Sequence, residues 1–248
     1  MPVVMSIDVG IKHLAICIME RNENNYSLLL WEVYNTMAKE EQENICNGKF
    51  KNGKDCTRKS LMKTDLKFFC KTHSPIDAKK IKPKKKVFQM SYTEIGTGLL
   101  CCMENLFTNH SEIMDRVDKI GIELQLAKNP RMKFASHCIL AKLIDIYRQR
   151  EIQIPITFMR ASLKLKIRYT GPPVIYTVKN AYSKRKQCAI MYTRHFLEEL
   201  CISEEWIDKF NNCPSKRDDL ADVKLYCLLL LGYPREKIIR TKRKIKKK

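Results

Sequence analysis

The chain opens with an almost continuous apolar segment, VVMSIDVGIKHLAICIME (residues 3–20), that contains a single acidic residue, Asp8, before its final glutamate. A run of this kind is typical of a strand buried on both faces of a sheet. An ionised carboxylate in such a strand costs several kcal/mol unless another group compensates its charge. The segment therefore predicts that Asp8 meets a compensating partner elsewhere in the fold.

Apolar periodicity along the rest of the chain alternates between strand and helix. After the strand predicted over 3–19, the segment 26–36 is expected to form its hairpin partner across a turn at 21–25. Further strands are predicted over 118–125 and 153–160. The helices are predicted over 91–110, 132–150, 184–200 and 216–231. This order is typical of an α/β domain with a mixed sheet.

Residues 44–90 interrupt this pattern, because they are rich in lysine and poor in apolar side chains. The segment contains Cys46, Cys56, Cys70 and His73, the last two in a C-x-x-H arrangement. Four such ligands suit tetrahedral Zn²⁺, and a metal would supply stability that so small a core lacks. The alternative is a basic loop with incidental cysteines.

The formal net charge is +20 over 248 residues, which indicates a polyanionic partner, with nucleic acid first among these. The alternative is a solvated surface with a basic tail. A membrane partner is not expected, since no uncharged apolar run reaches the ~18 residues that span a bilayer. With no signal peptide expected and eleven cysteines, the chain is predicted to be intracellular with reduced thiols.

Carboxylates recur at the ends of predicted elements. Glu123 ends the second buried strand, and Asp218, Asp219 and Asp222 begin the last large helix, where Asp219 and Asp222 share a face. Acids at a helix start can simply complement the helix dipole. Several acids gathered at one point, however, would repel one another unless a divalent cation such as Mg²⁺ or Mn²⁺ bound them. Two such ions ~3.5–4 Å apart can promote phosphodiester hydrolysis.

Three motifs carry a resemblance to a known family: SIDVGIKHLAICI, IGIELQ and KRDDLADVKL. They resemble the acidic motifs of the RuvC branch of the RNase H-like fold, and more closely the poxvirus-type Holliday junction resolvases of large cytoplasmic DNA viruses. The resemblance implies a mixed five-stranded sheet flanked by helices and a homodimer that resolves four-way junctions by symmetric paired nicks. It further implies a role in viral recombination or concatemer processing in the host cytoplasm.

The resemblance also implies site residues. Asp8, Glu123, Asp219 and Asp222 would form the catalytic set that binds Mg²⁺ or Mn²⁺, with two ions in each site and Asp218 as the alternate acid. A catalytic lysine is expected before the last helix; Lys186 is preferred and Lys184 is the alternative. The nuclease domain would comprise 1–43 and 91–235, interrupted by the basic lobe 44–90 and followed by a disordered basic tail at 236–248.

Two groups of basic residues are expected to bind DNA through its phosphates. The first lies beside Glu123 at a helix start, and the second surrounds the predicted catalytic lysine. They are Lys128, Arg131 and Lys133, and then Lys164, Lys166, Arg168, Lys184 and Arg185.

Competing interpretations remain at the level of the sequence. A transposon-associated or guide-RNA nuclease shares the first motif and zinc ligands, but there the cysteines lie between the second and third acidic motifs. An RNA-processing member of the same fold is another alternative. A non-catalytic basic nucleic-acid-binding protein, in which the acids are structural, is the rival from a different class.

Overall fold

A computed structural model of the protein describes residues 1–23, 25–37, 45–81 and 86–236. These residues form two compact units: one comprises Met1–Thr36 and the residues from Tyr92 onward, and the other comprises Met37–Ser91. Apart from Glu236, the basic tail predicted at 236–248 lies outside the described residues. No helix among the described residues is long and apolar enough to cross a membrane.

The strands and helices are numbered in chain order. The strands are β1 (Val3–Asp8), β2 (His13–Asn22), β3 (Asn25–Asn35), β4 (Met62–Lys63), β5 (Phe68–Phe69), β6 (Lys79–Lys80), β7 (Lys119–Glu123) and β8 (Ile156–Met159). The helices are α1 (Tyr92–Asn109), α2 (Ser111–Met114), α3 (Pro130–Gln149), α4 (Ala181–Glu199), α5 (Glu204–Asn211) and α6 (Arg217–Leu230).

The larger unit contains a five-stranded mixed sheet in the order β3-β2-β1-β7-β8. Strands β1, β2 and β3 pair antiparallel, whereas β1, β7 and β8 pair parallel. Together with the helices that pack against the sheet, this arrangement confirms the predicted α/β fold class with a mixed five-stranded sheet flanked by helices.

The single strand predicted over 3–19 is wrong, because this segment forms two antiparallel strands joined by a turn at residues 9–12. Gly10 allows the turn: a β-carbon there would lie 2.2 Å from the carbonyl oxygen of His13. The hairpin partner of 26–36 is therefore β2 rather than the first half of the segment. The split supplies the fifth strand of the sheet and leaves Asp8 at a strand end instead of mid-strand.

Helix α6 lies against the centre of the sheet, and nearly all of its residues from Leu220 to Leu229 are buried. The Ser6 hydroxyl donates a hydrogen bond to the Val223 carbonyl at 2.5 Å, and the Trp31 indole donates to the Leu220 carbonyl at 2.9 Å. These bonds join β1 and β3 to the first turns of α6, so the acidic start of that helix is fixed beside the end of β1.

Residues on the opposite face of β1 are also covered. Met5 and Ile7 alternate with Ser6 along the strand, so they point to the other side of the sheet, and both are fully buried. Helices α1 and α3 pack on each other, and α3 contacts β7. The short α5, with the buried Phe210 stacked on Trp31 at 5.2 Å, has no counterpart in the sequence prediction.

The unit Met37–Ser91 contains a small antiparallel sheet in the order β5-β4-β6, whose strands are two residues long. Three buried cysteines, with Phe50 and Phe69 packed against them, form its core. So small an apolar core indicates that the unit needs another source of stability.

Candidate active site and metal cluster

The ends of two neighbouring parallel strands bring two acids together. Ile7 of β1 lies opposite Ile122 of β7, so Asp8 and Glu123 follow at equivalent positions and point to the same face of the sheet. Asp222 reaches the same point from α6, one residue before the Val223 carbonyl that Ser6 holds. Three of the predicted acids therefore converge from three separate elements.

A lysine lies among these three acids. The Lys164 ammonium contacts the Asp222 carboxylate closely and lies 3.4 Å from Glu123 Oε1. The side chains of Lys164 and Glu123 are each 14% exposed, and that of Asp222 is 15% exposed. Pairs this poorly hydrated are screened far less than surface ion pairs.

The cluster holds more negative charge than one lysine can neutralise. Burial raises the pKa of Asp8 well above its ordinary value, and repulsion from Glu123 and Asp222 raises it further. Burial likewise raises the pKa of Asp222 to about 6, against the opposing attraction of Lys164. A dication at this point would remove both the burial and the repulsion costs.

The pKa of Glu123 is shifted in the opposite direction. Burial acts to raise its pKa, but a hydrogen bond with Asp8, the Lys164 charge and the Tyr226 hydroxyl outweigh burial and lower the pKa. The Tyr226 hydroxyl donates to Glu123 Oε1 at 3.0 Å, and the Gln125 amide donates to Oε2 at 3.4 Å. Both carboxylate oxygens are thus held in position.

Tyr226 and Gln125 were not among the sequence-predicted site residues. The signals were nevertheless present: Tyr226 is four residues after Asp222 and so lies on the same face of α6, and Gln125 is two residues beyond Glu123.

Asp218 and Asp219, the other two acids of α6, have cationic partners of their own. Asp219 Oδ2 lies 3.3 Å from the Lys216 ammonium, and Asp218 forms a close pair with Lys186. The negative charge of Asp218 also contributes to the raised pKa of Asp222. Both acids therefore border the cluster.

A cavity of about 240 Å³ opens beside Asp8. Asp8 and Asp219 both line it, together with Lys216 and residues of the turn between β1 and β2, including His13. The cavity is wide enough to admit several waters or a phosphate group.

The lysine predicted as catalytic and the lysine that contacts the acids are different residues. Lys186, from α4, pairs with Asp218, and its ammonium lies 5.0 Å from the centroid of the Tyr182 ring. Lys184 lies 5.4 Å from the Tyr176 ring. Lys164, predicted from the sequence to bind DNA, is the lysine in contact with Glu123 and Asp222.

The remaining predicted DNA-binding residues lie on the surface or are partly buried, in two regions. Lys128 lies in the turn before α3, and Arg131 and Lys133 lie in the first turn of that helix. Lys166 belongs to the same 3₁₀ turn as Lys164, Arg168 follows this turn, and Arg185 lies in the first turns of α4. Their contact with DNA stays a prediction.

The second unit contains the other predicted ligand set. Ligand atoms of Cys46, Cys56, Cys70 and His73 all lie within 4.8 Å of one another. His73 Nδ1 is 3.5 Å from the Cys46 sulfur and 3.6 Å from the Cys70 sulfur. Three sulfurs and one imidazole nitrogen converging in this way fit a tetrahedral metal site, and the cluster could bind a metal ion.

The backbone around Cys46 and Cys70 also suits anionic sulfur ligands, whereas burial raises the pKa of the Cys56 thiol. The Gly48 amide donates to the Cys46 sulfur at 3.3 Å, and a side chain at position 48 would collide with the His73 ring. Burial opposes ionisation of Cys70, but the backbone amides of His73 and Thr72 outweigh it and lower the pKa of the thiol to about 6. Thiolates are the form in which cysteine binds metals.

No protein-family model matches the sequence, and no curated protein matches it. The fold is similar to that of several solved structures. The fowlpox virus resolvase in complex with Holliday junction DNA is 14% identical, with a TM-score of 0.47, over 92% of this chain and 96% of that chain.

Two further structures are similar over comparable lengths. RuvC of Thermus thermophilus with a Holliday junction substrate is 12% identical, with a TM-score of 0.43, over 95% of this chain and 99% of that chain. The yeast mitochondrial Holliday junction resolvase Ydc2 is 16% identical, with a TM-score of 0.47, over 90% of this chain and 74% of that chain.

Proposed function

We propose that this protein is a metal-dependent endonuclease that resolves four-way DNA junctions and related branched DNA by symmetric paired nicks. The observation that carries the proposal is the convergence of Asp8, Glu123 and Asp222 around a single lysine. Such a cluster destabilises a fold unless it binds cations, and its donors are carboxylate oxygens, which Mg²⁺ and Mn²⁺ prefer. The donor set therefore fits these ions.

Asp8, Glu123 and Asp222 would hold the ions, with Asp219 contributing from the adjoining cavity. Bound in this site, Mg²⁺ or Mn²⁺ would activate the attacking water and neutralise charge on the scissile phosphate. Tyr226 and Gln125 hold Glu123 in one orientation, so that its oxygens are available to a cation without rearrangement. Such preorganisation is the main contribution a protein makes to phosphoryl chemistry.

Lys164 is proposed as the cation that acts on the reacting phosphate. It already lies among the acids. Its ammonium has three N–H donors, so it can donate hydrogen bonds to the carboxylates and to a phosphate oxygen at the same time. Lys186 is proposed to act indirectly. It pairs with Asp218, whose negative charge contributes to the raised pKa of Asp222. This assignment revises the sequence-based preference for Lys186.

The net charge and the basic residues around the acids support DNA as the substrate. A net charge of +20 favours a polyanionic substrate. The acids gathered at one point of so basic a chain favour a reaction centre in the protein that binds cations. Two coordinated cuts in a near-symmetric junction require two sites, so the active form is proposed to be a homodimer. The motif resemblance extends the proposal to viral recombination or concatemer processing in the host cytoplasm.

The test uses a labelled four-way junction, a matched linear duplex and a Y-fork, each incubated with the purified protein with and without Mg²⁺ or Mn²⁺. We expect paired nicks that release ligatable duplexes from the junction only when a divalent metal is present. The duplex should stay intact. Binding of the junction without cleavage under every metal condition would instead favour the non-catalytic nucleic-acid-binding protein.

Replacing Lys164 with glutamine is expected to destabilise the metal-free protein more than the Mg²⁺-loaded protein. Without the ammonium, three poorly exposed carboxylates lose their shared partner. The cost is about 2–4 kcal/mol, moderated because Asp8 or Asp222 can take up a proton. Urea unfolding with and without Mg²⁺ measures it.

The control is Lys166→Gln, which removes the same charge from the same 3₁₀ turn. It should unfold like the wild type in both conditions. If Mg²⁺ does not reduce the loss in free energy of unfolding caused by Lys164→Gln, that result would count against cation binding by this acidic cluster.

A further inference from the structure

The unit Met37–Ser91 is strongly basic. Residues 45–81 and 86–91 contain ten lysines and one arginine but only three acids, Asp55, Asp65 and Asp77. The ion pair between Lys49 and Asp55, at 3.9 Å, has both side chains mostly exposed, so it neutralises little. The surface of this unit therefore suits an anionic partner.

The register of the small sheet places two lysines side by side. Lys63 of β4 lies directly opposite Phe68 of β5 on one side and directly opposite Lys79 of β6 on the other. Directly opposed residues point to the same face of an antiparallel sheet. Lys63, Phe68 and Lys79 thus form one surface, called here the outer face.

The other face of the sheet is turned toward the metal cluster. Met62, Phe69 and Lys80 are the residues paired on that side, and Phe69 packs against the cysteines. Because successive residues of a strand point to opposite faces, the outer face points away from this core. Lys63 and Lys79 are exposed, and Phe68 is half-buried.

An opposed lysine pair is unfavourable for so small a sheet. Like charges directly across a strand pair repel, and two-residue strands offer few other contacts to offset the repulsion. Within the described part of the chain, neither Lys63 nor Lys79 has an acidic partner. An anion bound between them would convert the repulsion into attraction.

The four ligands of the metal cluster flank strands β4 and β5 of this sheet. Cys46 and Cys56 precede β4, whereas Cys70 follows β5 immediately and His73 lies just beyond it. A metal held by these ligands would tie together the segments that enter β4 and leave β5, and β6 pairs with β4. The spacing between Lys63 and Lys79 would then depend on the metal.

We propose that the outer face is a nucleic-acid contact, in which Lys63 and Lys79 grip the phosphate backbone and the Phe68 ring packs against a sugar or base. A Zn²⁺ ion at Cys46, Cys56, Cys70 and His73 holds the face in its binding shape. The inference rests on the proposed function for its substrate, since it adds a second DNA contact to the proposed junction nuclease.

The experiment compares the full-length double variant Lys63→Gln/Lys79→Gln with the matched double variant Lys51→Gln/Lys54→Gln. The control pair lies in the exposed turn of the same unit and loses the same charge. Junction affinity is measured without divalent metal over a range of salt concentrations. Removing one lysine–phosphate interaction lowers the slope of log affinity against log salt by about 0.9.

We expect the outer-face variant to lose nearly two units of salt slope and the control to lose much less. Equal losses in the two variants, or no loss in either, would overturn the proposal. Single-turnover cleavage with saturating protein is run in parallel. Outer-face variants should cut bound junction at the wild-type rate. If the wild-type protein itself does not cleave, the proposed nuclease function fails, and the salt dependence of binding still tests the outer face separately.

The metal dependence is tested with Cys70→Ser. The wild-type protein is expected to contain one zinc per chain by elemental analysis, and the variant to contain none. The variant should lose the same salt slope as Lys63→Gln/Lys79→Gln. Zinc loss with an unchanged slope, or a zinc-free wild type, would exclude the metal as the element that shapes the face. The lysine variants keep the DNA interaction itself testable if Cys70→Ser fails to fold.

Discussion

An Asp8→Asn variant is expected to bind a four-way junction at least as tightly as the wild-type protein and to cleave it at least about 10²–10³-fold more slowly, the scale of losing one electrostatic group from an active site. Asparagine offers only one oxygen and no charge to a cation, so ion binding fails. The remaining surface loses one negative charge near DNA, which favours association with phosphates.

The same variant is expected to be no less stable than the wild type in the absence of metal. Burial and repulsion from Glu123 already raise the pKa of Asp8, so the carboxylate is a cost to the metal-free fold. An asparagine amide can also donate a hydrogen bond to Glu123. Lost activity with unchanged or increased stability is the outcome that distinguishes a functional carboxylate from a structural one.

Asp208→Asn is the matched control, because it removes the same charge from an exposed position of α5. It should cut and unfold like the wild type. Cleavage by Asp8→Asn at the wild-type rate would remove the acidic cluster from the reaction and return its members to structural roles. Single-turnover cleavage, filter binding and urea unfolding on the same preparations separate these outcomes.

The position of Asp8 beside Glu123 was predictable in principle from the sequence. Glu123 ends one apolar run and Asp8 interrupts another just before Gly10, and the ends of neighbouring parallel strands share one edge of a sheet. The turn after Asp8 is not apparent in the sequence because the apolar run resumes at Leu14. Gly10 was the available signal, since a glycine inside a strand pattern marks a bend or a close backbone approach.

The position of Lys164 could not be read from the sequence. It lies 41 residues after Glu123 and 58 before Asp222, in a 3₁₀ turn rather than a patterned strand or helix. Only the packing of that turn against α6 brings the ammonium to the acids. Lys186 lies in a regular helix close in sequence to α6, which made it the more visible candidate.

The proximity of the metal-cluster ligands was predictable from the sequence only in part. Cys70 and His73 lie one turn apart, so their proximity follows from local spacing. Cys46 and Cys56 are separated by a wider loop than zinc motifs usually have. That loop folds back through backbone hydrogen bonds, such as the one that the Cys56 amide donates to the Gly48 carbonyl at 2.9 Å. No residue pattern in the sequence predicts these hydrogen bonds.

A second large effect is expected at Lys224, which lies on α6 among the acids but points into the core. Its side chain is fully buried, and within the described residues its ammonium has no hydrogen-bond partner. Burial lowers the pKa of Lys224 to about 7, against the opposing influence of Cys17, Cys227 and Glu199. The folded protein therefore holds this lysine largely neutral above neutral pH.

This makes stability depend on pH in a defined direction. Between about pH 7 and the ordinary lysine pKa near 10.5, the unfolded chain binds a proton at Lys224 that the folded chain does not. Stability contributed by this site therefore rises with pH across that window. At pH 7 the penalty is about 3–5 kcal/mol, from a pKa shift of this size.

Lys224→Met is accordingly expected to raise the free energy of unfolding by about 3–5 kcal/mol at pH 7, because methionine fills similar space without a charge to desolvate. The advantage over the wild type should shrink as the pH rises toward 10. Taking the difference between the two proteins cancels the titration of the cysteines and tyrosines that they share. Lys133→Met, at an exposed position of α3, serves as the control and should change stability by less than about 0.5 kcal/mol. A Lys224→Met protein that is less stable than the wild type at pH 7 would mean that the ammonium is charged and paired in the core, and would overturn this account of α6.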